Sequence, residues 1–290
     1  MGISNVKLKP LKNVPPFRKV ALGTWHGPGD PQIYGTLEID LTNAYRWRDS
    51  LPEGSPRVTV THMVARAVAV ALARYPDLNA MLRFGRIYLR QSVDMFILAA
   101  VEHESGREDL TSIKLSGADK MSVEQIAEVV AAKLKRVREK KDTELQKTSR
   151  MMSLMPGWLV RFLLKLVAFI SYTLNLRFPG IPRDQFGSCL ITNVGMMGLD
   201  IAYAPLVPYS RAPVVLLVGE AKPRPVVVGD KIEIRPVVTL NASIDHRLCD
   251  GALLAKMVKT IKTVFAEPEK YFEVPEVTGD SSGGQAGGQR

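Results

Sequence analysis

The residues with the clearest chemical potential lie in one run, Asp245-His246-Arg247-Leu248-Cys249-Asp250-Gly251. Imidazole titrates near neutrality, so a histidine such as His246 is suited to take a proton from a thiol or hydroxyl and return it to a leaving group. Asp250 follows four residues later, where its carboxylate can accept backbone N–H groups of a helix first turn. Cys249 is poorly placed as a nucleophile, because a reactive thiolate needs a positive neighbour and Asp250 opposes ionisation. The other histidines carry less. His62 has no residue at metal-ligand spacing, and His103 sits between Glu102 and Glu104 without further convergent ligands. The sequence predicts no metal site. It also contains no CxxC pair, no Walker loop and no G-x-G-x-x-G phosphate loop.

A strand and a helix must position this run. Pro236-Val-Val-Thr-Leu is apolar and β-prone, and Ala252 to Phe265 has the apolar spacing of a helix. His246 is therefore expected just past a strand end, facing a cleft, with Asp250 capping the helix that follows.

The run Asp245-His246-Arg247-Leu-Cys-Asp250-Gly251 resembles the D-H-R-x-x-D-G signature of the catalytic domains of 2-oxo acid dehydrogenase acyltransferases, the E2 components. Its H-x-x-x-D-G core is shared with chloramphenicol acetyltransferases. Upstream, Phe186-Gly187-Ser188-Cys-Leu-Ile-Thr192-Asn193-Val-Gly195-Met-Met-Gly198 is similar to the family's G-T-F-T-I-S-N-L-G-M-F-G segment. Phe17-Arg18-Lys19-Val20 resembles the R-K pair that opens the family's domain, and Asp77-Leu-Asn-Ala its helix-closing P-x-x-N-A segment.

The resemblance implies an α/β fold of the chloramphenicol acetyltransferase type, a mixed sheet flanked by helices, assembled as a trimer. It implies His246 as general base and Thr192 as the hydroxyl donor to a tetrahedral oxyanion. Ser188 is a fallback donor at a neighbouring family position. Asp250 would brace the active-site turn through a buried ion pair, with Arg18 as candidate partner and Gly251 as a structural glycine. His246 of one subunit would face Thr192 of the next. The activity implied is CoA-dependent acyl transfer between a thioester and a thiol or hydroxyl acceptor, with acyl-CoA as substrate and its binding residues unassigned. The alternative is a non-catalytic trimeric scaffold or membrane-associated interaction protein.

Two departures bear on the acceptor. Where the family carries G-L-[IV]-T-P-V, this chain has Gly106-Arg-Glu-Asp-Leu110-Thr-Ser-Ile, so a lipoamide acceptor is not implied without reserve. An apolar helical insert is expected at about 148–183. Its run from Trp158 to Leu174 is interrupted by Arg161 and Lys165, which argues against a spanning helix and for either a packed helix or one lying in a membrane interface.

The reading divides the chain into an N-terminal arm (1–16), a catalytic domain (17–273) and a disordered tail (274–290) without lipoyl or subunit-binding modules, hence without covalently bound lipoate. An apolar C-terminal knob is also missing, so a trimer is expected and a cage stays open. A formal charge of +10 suits an anionic partner. Acyl-CoA, a lipoyl domain in trans or an anionic membrane qualify, and nucleic acid is not expected. Two cysteines make no disulfide framework, and the expected location is cytoplasmic, with peripheral membrane attachment open.

Coarser elements complete the reading. Strands are expected at 33–41, 86–90, 93–101, 214–219, 225–229, 232–235 and 236–244. Helices are expected at 58–75, after Ser122, and at 252–265.

Overall fold

The computed structural model describes residues 31–84, 86–102, 108–138, 156–176 and 184–274. The chain divides after Pro31. Arg18, the arm at 1–16, His103 and the tail beyond Val274 lie outside the described residues.

The elements in chain order are β1 (Gln32–Asp40), α1 (Thr42–Asp49), α2 (Val60–Arg74), β2 (Ala80–Arg83), β3 (Arg86–Leu89), β4 (Met95–Glu102), β5 (Glu108–Leu115), α3 (Val123–Arg138), α4 (Gly157–Ala168), β6 (Cys189–Asn193), β7 (Val214–Val218), β8 (Lys222–Val228), β9 (Lys231–Asp245), α5 (Gly251–Ala266) and α6 (Pro268–Tyr271). Seven strands form one mixed sheet in the order β1-β9-β7-β6-β4-β5, with β8 added on β9, while β2 and β3 form a separate hairpin. The three central strands β4, β6 and β7 are parallel, and β5, β9 and β1 run antiparallel to their neighbours.

Strand periodicity divides the central strands between two cores. Met95, Ile97, Cys189, Ile191, Val214, Leu216 and Val218 face a large core shared with buried residues of α2, α3 and α5. The alternate residues Phe96, Leu190, Val215 and Leu217 face a smaller core, covered by Phe186 and by the irregular segment containing Val194, Ala202, Ala204, Leu206 and Val207. All five residues of β7 are buried, as expected of an apolar strand covered on both faces.

Helix α3, expected after Ser122, begins with a capping box. Gln125 N–H donates to Ser122 Oγ at 3.1 Å, and Ser122 N–H donates back to Gln125 Oε1 at 3.0 Å. Ile126 and Val130 are buried as its spacing predicts, but Val129 lies at the edge of that face and is exposed. The two strands expected at 232–235 and 236–244 are one continuous strand, β9. The insert begins its described course as α4 and continues as one π-helical stretch, Phe169–Thr173.

Arg66 on α2 is the largest fully buried side chain among the described residues. Its guanidinium donates to the carbonyls of Asp119 (2.6 Å), Tyr271 (2.7 Å) and Glu273 (2.9 Å). These bonds replace the hydration that burial removes, since an uncompensated interior cation would be very costly.

Candidate active site

The turn after β9 is organised by Asp245. Its backbone N–H is held by Pro213 O at 2.9 Å, and its own carbonyl accepts from Leu248 and Cys249. Its buried carboxylate accepts from Arg247 N–H at 3.0 Å and pairs with the Arg247 guanidinium at 2.9 and 2.7 Å. These contacts reverse the chain tightly and leave His246 exposed.

The imidazole is oriented within the same turn. His246 Nδ1 lies 2.7 Å from Cys249 O. A carbonyl can only accept, so Nδ1 carries the proton and Nε2 is left with a free lone pair. That is the tautomer a general base requires.

Asp250 acts as the N-cap of α5, its Oδ1 accepting from Leu253 N–H at 2.8 Å. Its side chain is exposed, and the described residues give it no ion pair. The buried aspartate paired with an arginine in this motif is Asp245, with Arg247. The expected Arg18 pairing lies outside the described residues. A Cβ added to Gly251 would meet nothing within 4 Å, so crowding by the described residues does not explain glycine there. Cys249 is buried, and burial followed by the Asp250 charge pushes its thiol up to about 11, which removes it as a nucleophile.

Thr192 sits near the end of β6 on the smaller-core face, opposite the helices, and is half-buried. The next residue ties this strand end to α2, because Asn193 Nδ2 donates to Thr61 Oγ1 at 3.0 Å and Gly195 N–H donates to Asn193 Oδ1 at 2.9 Å. Gly195 is needed for space, since a Cβ there would lie 2.5 Å from Gly219 O. Gly187 is needed for conformation, with φ +61° and its would-be Cβ against Asp94 O. The fallback donor Ser188 is fully buried and bonded to Asn79 Oδ1, which takes it out of reach of a substrate.

Within one chain the two candidate groups are far apart. Thr192 aligns with Leu217 and through it with Asn241, whereas His246 lies five residues beyond Asn241 along β9. Strand rise and spacing put the two positions roughly 15–20 Å apart. The two candidate groups of one chain therefore do not meet.

The catalytic-domain family of 2-oxoacid dehydrogenase acyltransferases matches residues 29–152 and 183–273. The chain belongs to that family. Both motif segments fall inside the match, and the break between 152 and 183 contains α4. Among curated proteins the chain is 25% identical over 242 residues to the dihydrolipoyllysine-residue acetyltransferase component of an acetoin cleaving system from Bacillus subtilis, covering 82% of this chain and 50% of that protein. It is 22% identical over 250 residues to a Bacillus subtilis lipoamide acyltransferase component of a branched-chain alpha-keto acid dehydrogenase complex, covering 84% and 49%. The chain thus spans about half the length of these relatives.

The fold is also that of solved acyltransferase cores. A probable dihydrolipoamide acetyltransferase from Listeria monocytogenes superposes with a TM-score of 0.59 at 19% identity, covering 94% of this chain and 97% of that one. A truncated 2-oxoacid dehydrogenase catalytic core from Thermoplasma acidophilum gives 0.56 at 24% identity, covering 90% and 99%.

Sequence reasoning missed the role of Asp245. The signal was present, because an aspartate two residues before an arginine at a strand end can accept both its backbone and side-chain N–H groups.

Proposed function

We propose that this family member is a CoA-dependent acyltransferase in which His246 of one subunit and Thr192 of a neighbour complete each active site. The carrying observation is the His246 Nδ1–Cys249 O bond, which leaves Nε2 available at an exposed strand end. In this reading Nε2 removes the proton from an acceptor thiol or hydroxyl as that atom attacks the thioester carbonyl of acyl-CoA. The carbonyl oxygen becomes an oxyanion and receives the Thr192 hydroxyl hydrogen bond. Collapse breaks the carbon–sulfur bond, the acyl group stays on the acceptor, and the imidazolium returns its proton to the departing CoA sulfur. No enzyme-bound acyl intermediate is required.

Two features support assembly with further copies as a trimer. The two candidate groups are separated in one chain, and the ribbon formed by β8 and the first part of β9 carries exposed Val227, Ile232 and Ile234. An apolar ribbon with a free strand edge gains by pairing with another surface. A dihydrolipoyl group on another chain is an acceptor compatible with this chemistry.

The test is thiol release from short-chain acyl-CoA with dithiol and hydroxyl acceptors. The His246→Ala protein should lose on the order of 100-fold or more in rate while keeping its oligomeric state. A wild-type protein that releases no CoA with any acceptor favours the scaffold reading. A variant retaining more than about a tenth of the rate removes His246 as the base.

A further inference from the structure

We propose that α4, its continuation to Leu176 and the β2–β3 hairpin form one surface that seats on an anionic lipid bilayer. The two parts are joined in the fold, because Arg83 Nε on the hairpin donates to Thr173 O at 3.1 Å. Both leave bulky apolar side chains in solvent. Phe162, Leu166 and Phe169 are exposed at one-turn spacing along the helix, followed by Leu174 and Leu176, and the hairpin adds Phe84, Ile87 and Leu89. Phe84 is 67% exposed and Phe162 57%, values that a packed core side chain does not show.

Charge decides the occupant. Residues 80–90 and 156–176 contain no aspartate or glutamate. They carry Arg83, Arg86, Arg90, Arg161 and Lys165, of which Arg90 is held by Asp184 at 2.8 Å. Arg161 and Lys165 are exposed and lie one turn apart, along one border of the Phe162–Leu166–Phe169 face. A second copy of the same surface would set cations against cations, which opposes self-association through this face. A bilayer with anionic headgroups meets both properties, accepting the apolar side chains at the acyl boundary and the cations among the phosphates.

The geometry is that of docking, not spanning. No helix among the described residues is long and apolar enough to cross a membrane. The surface lies at the sheet end from which His246 emerges. Arg90 donates to Arg211 O at 3.1 Å, and two residues on, Pro213 O accepts the Asp245 N–H at 2.9 Å.

The test is flotation of the full chain with vesicles of phosphatidylcholine alone and of phosphatidylcholine mixed with phosphatidylglycerol. Wild type should float with the mixed vesicles, less so as salt rises, and stay behind with phosphatidylcholine alone. The Phe162→Ser/Phe169→Ser and Arg161→Glu/Lys165→Glu proteins should each lose about tenfold or more of the bound fraction. Lys262→Glu, an exposed control on α5, should not. All five changed residues are outside the proposed catalytic groups, so acyl transfer to a soluble acceptor should be unaltered, and its presence or absence is read separately. Wild type that fails to float at low salt, equal binding to both vesicle types, or variants that bind like wild type would each overturn the proposal. Variants that change the oligomeric state would do so too, because the face would then belong to a contact between copies.

Discussion

A mixed assembly of two inactive proteins should regain activity if each site is shared between copies. The perturbation is co-expression of His246→Ala and Thr192→Ala chains carrying different tags, followed by isolation of assemblies that carry both. Each variant alone removes one group from every site. Loss of the base costs on the order of 100-fold or more, and loss of one oxyanion donor about 100- to 1000-fold. In a mixed trimer, a site draws His246 from one chain and Thr192 from the next. The site is intact when the first chain is Thr192→Ala and the second is His246→Ala. A cyclic trimer that contains both variants has one such interface among its three, so the isolated mixed assemblies should show about a third of wild-type CoA release per site. The separation of Thr192 and His246 by the sheet register makes this arithmetic applicable. If both groups served one chain's own site, every site in the mixture would still lack one of them. Activity no higher than that of the two parents would therefore refute the shared site.

Asp245→Asn should destabilise the protein by about 1–3 kcal/mol, because it weakens the paired bonds to Arg247 inside a turn that is otherwise closed. It should also lower the turnover number, and denaturant melts alongside CoA release would separate the two effects. Burial holds His62 down to about 4 against its ordinary 6.5, and its Nδ1 accepts the Thr59 N–H at 3.2 Å, which requires the neutral ring. The folded protein resists a proton that the unfolded chain binds below 6.5, so stability should be full above that pH and fall as pH drops toward 4. The loss attributable to His62 is about 3 kcal/mol at most. Melting temperatures of wild type and His62→Gln across this window should differ in slope, and parallel slopes would exclude His62 as the source.

The parts legible in the sequence were those whose physics is local. The capping box at Ser122, the apolar run of β7 and the strand–turn–helix around His246 each announce themselves within a few residues. Helix α1 was not legible, because Thr42–Asp49 buries little besides Ala44 and Trp47 and is otherwise polar. Glu108 and Asp109 are both acidic and carry no strand pattern of their own, yet they begin β5, whose place is fixed by pairing with Val101 and Glu102 of β4. Pro236 looked like a strand boundary. It sits opposite Pro223, where neither residue needs an N–H, and the strand passes through as its partner on one side changes from β8 to β7. The separation of His246 from Thr192 depends on strand register, which no local pattern contains. The resemblance alone suggested that two subunits share a site.

The buried Arg66 also sets a timetable for the chain's birth. Its guanidinium waits for carbonyls 205 and 207 residues later in the sequence, at Tyr271 and Glu273. The β1 strand likewise waits for β9, Gln32 facing Asp245. A ribosome adding about 5–20 residues per second needs on the order of ten to forty seconds to supply those partners. Through that interval the α2 cation has only the Asp119 carbonyl of its three partners, and the apolar face around Met63, Val64 and Leu72 has no complete cover. The arrival of residues 271–273 is thus the step that completes this fold, and the nascent chain should engage holding chaperones until residues near 273 have left the exit tunnel. Ribosome-bound chains stalled before Tyr271 should be protease-sensitive throughout α2, whereas chains extended past Val274 by a linker long enough to clear the tunnel should become resistant together from β1 to α6.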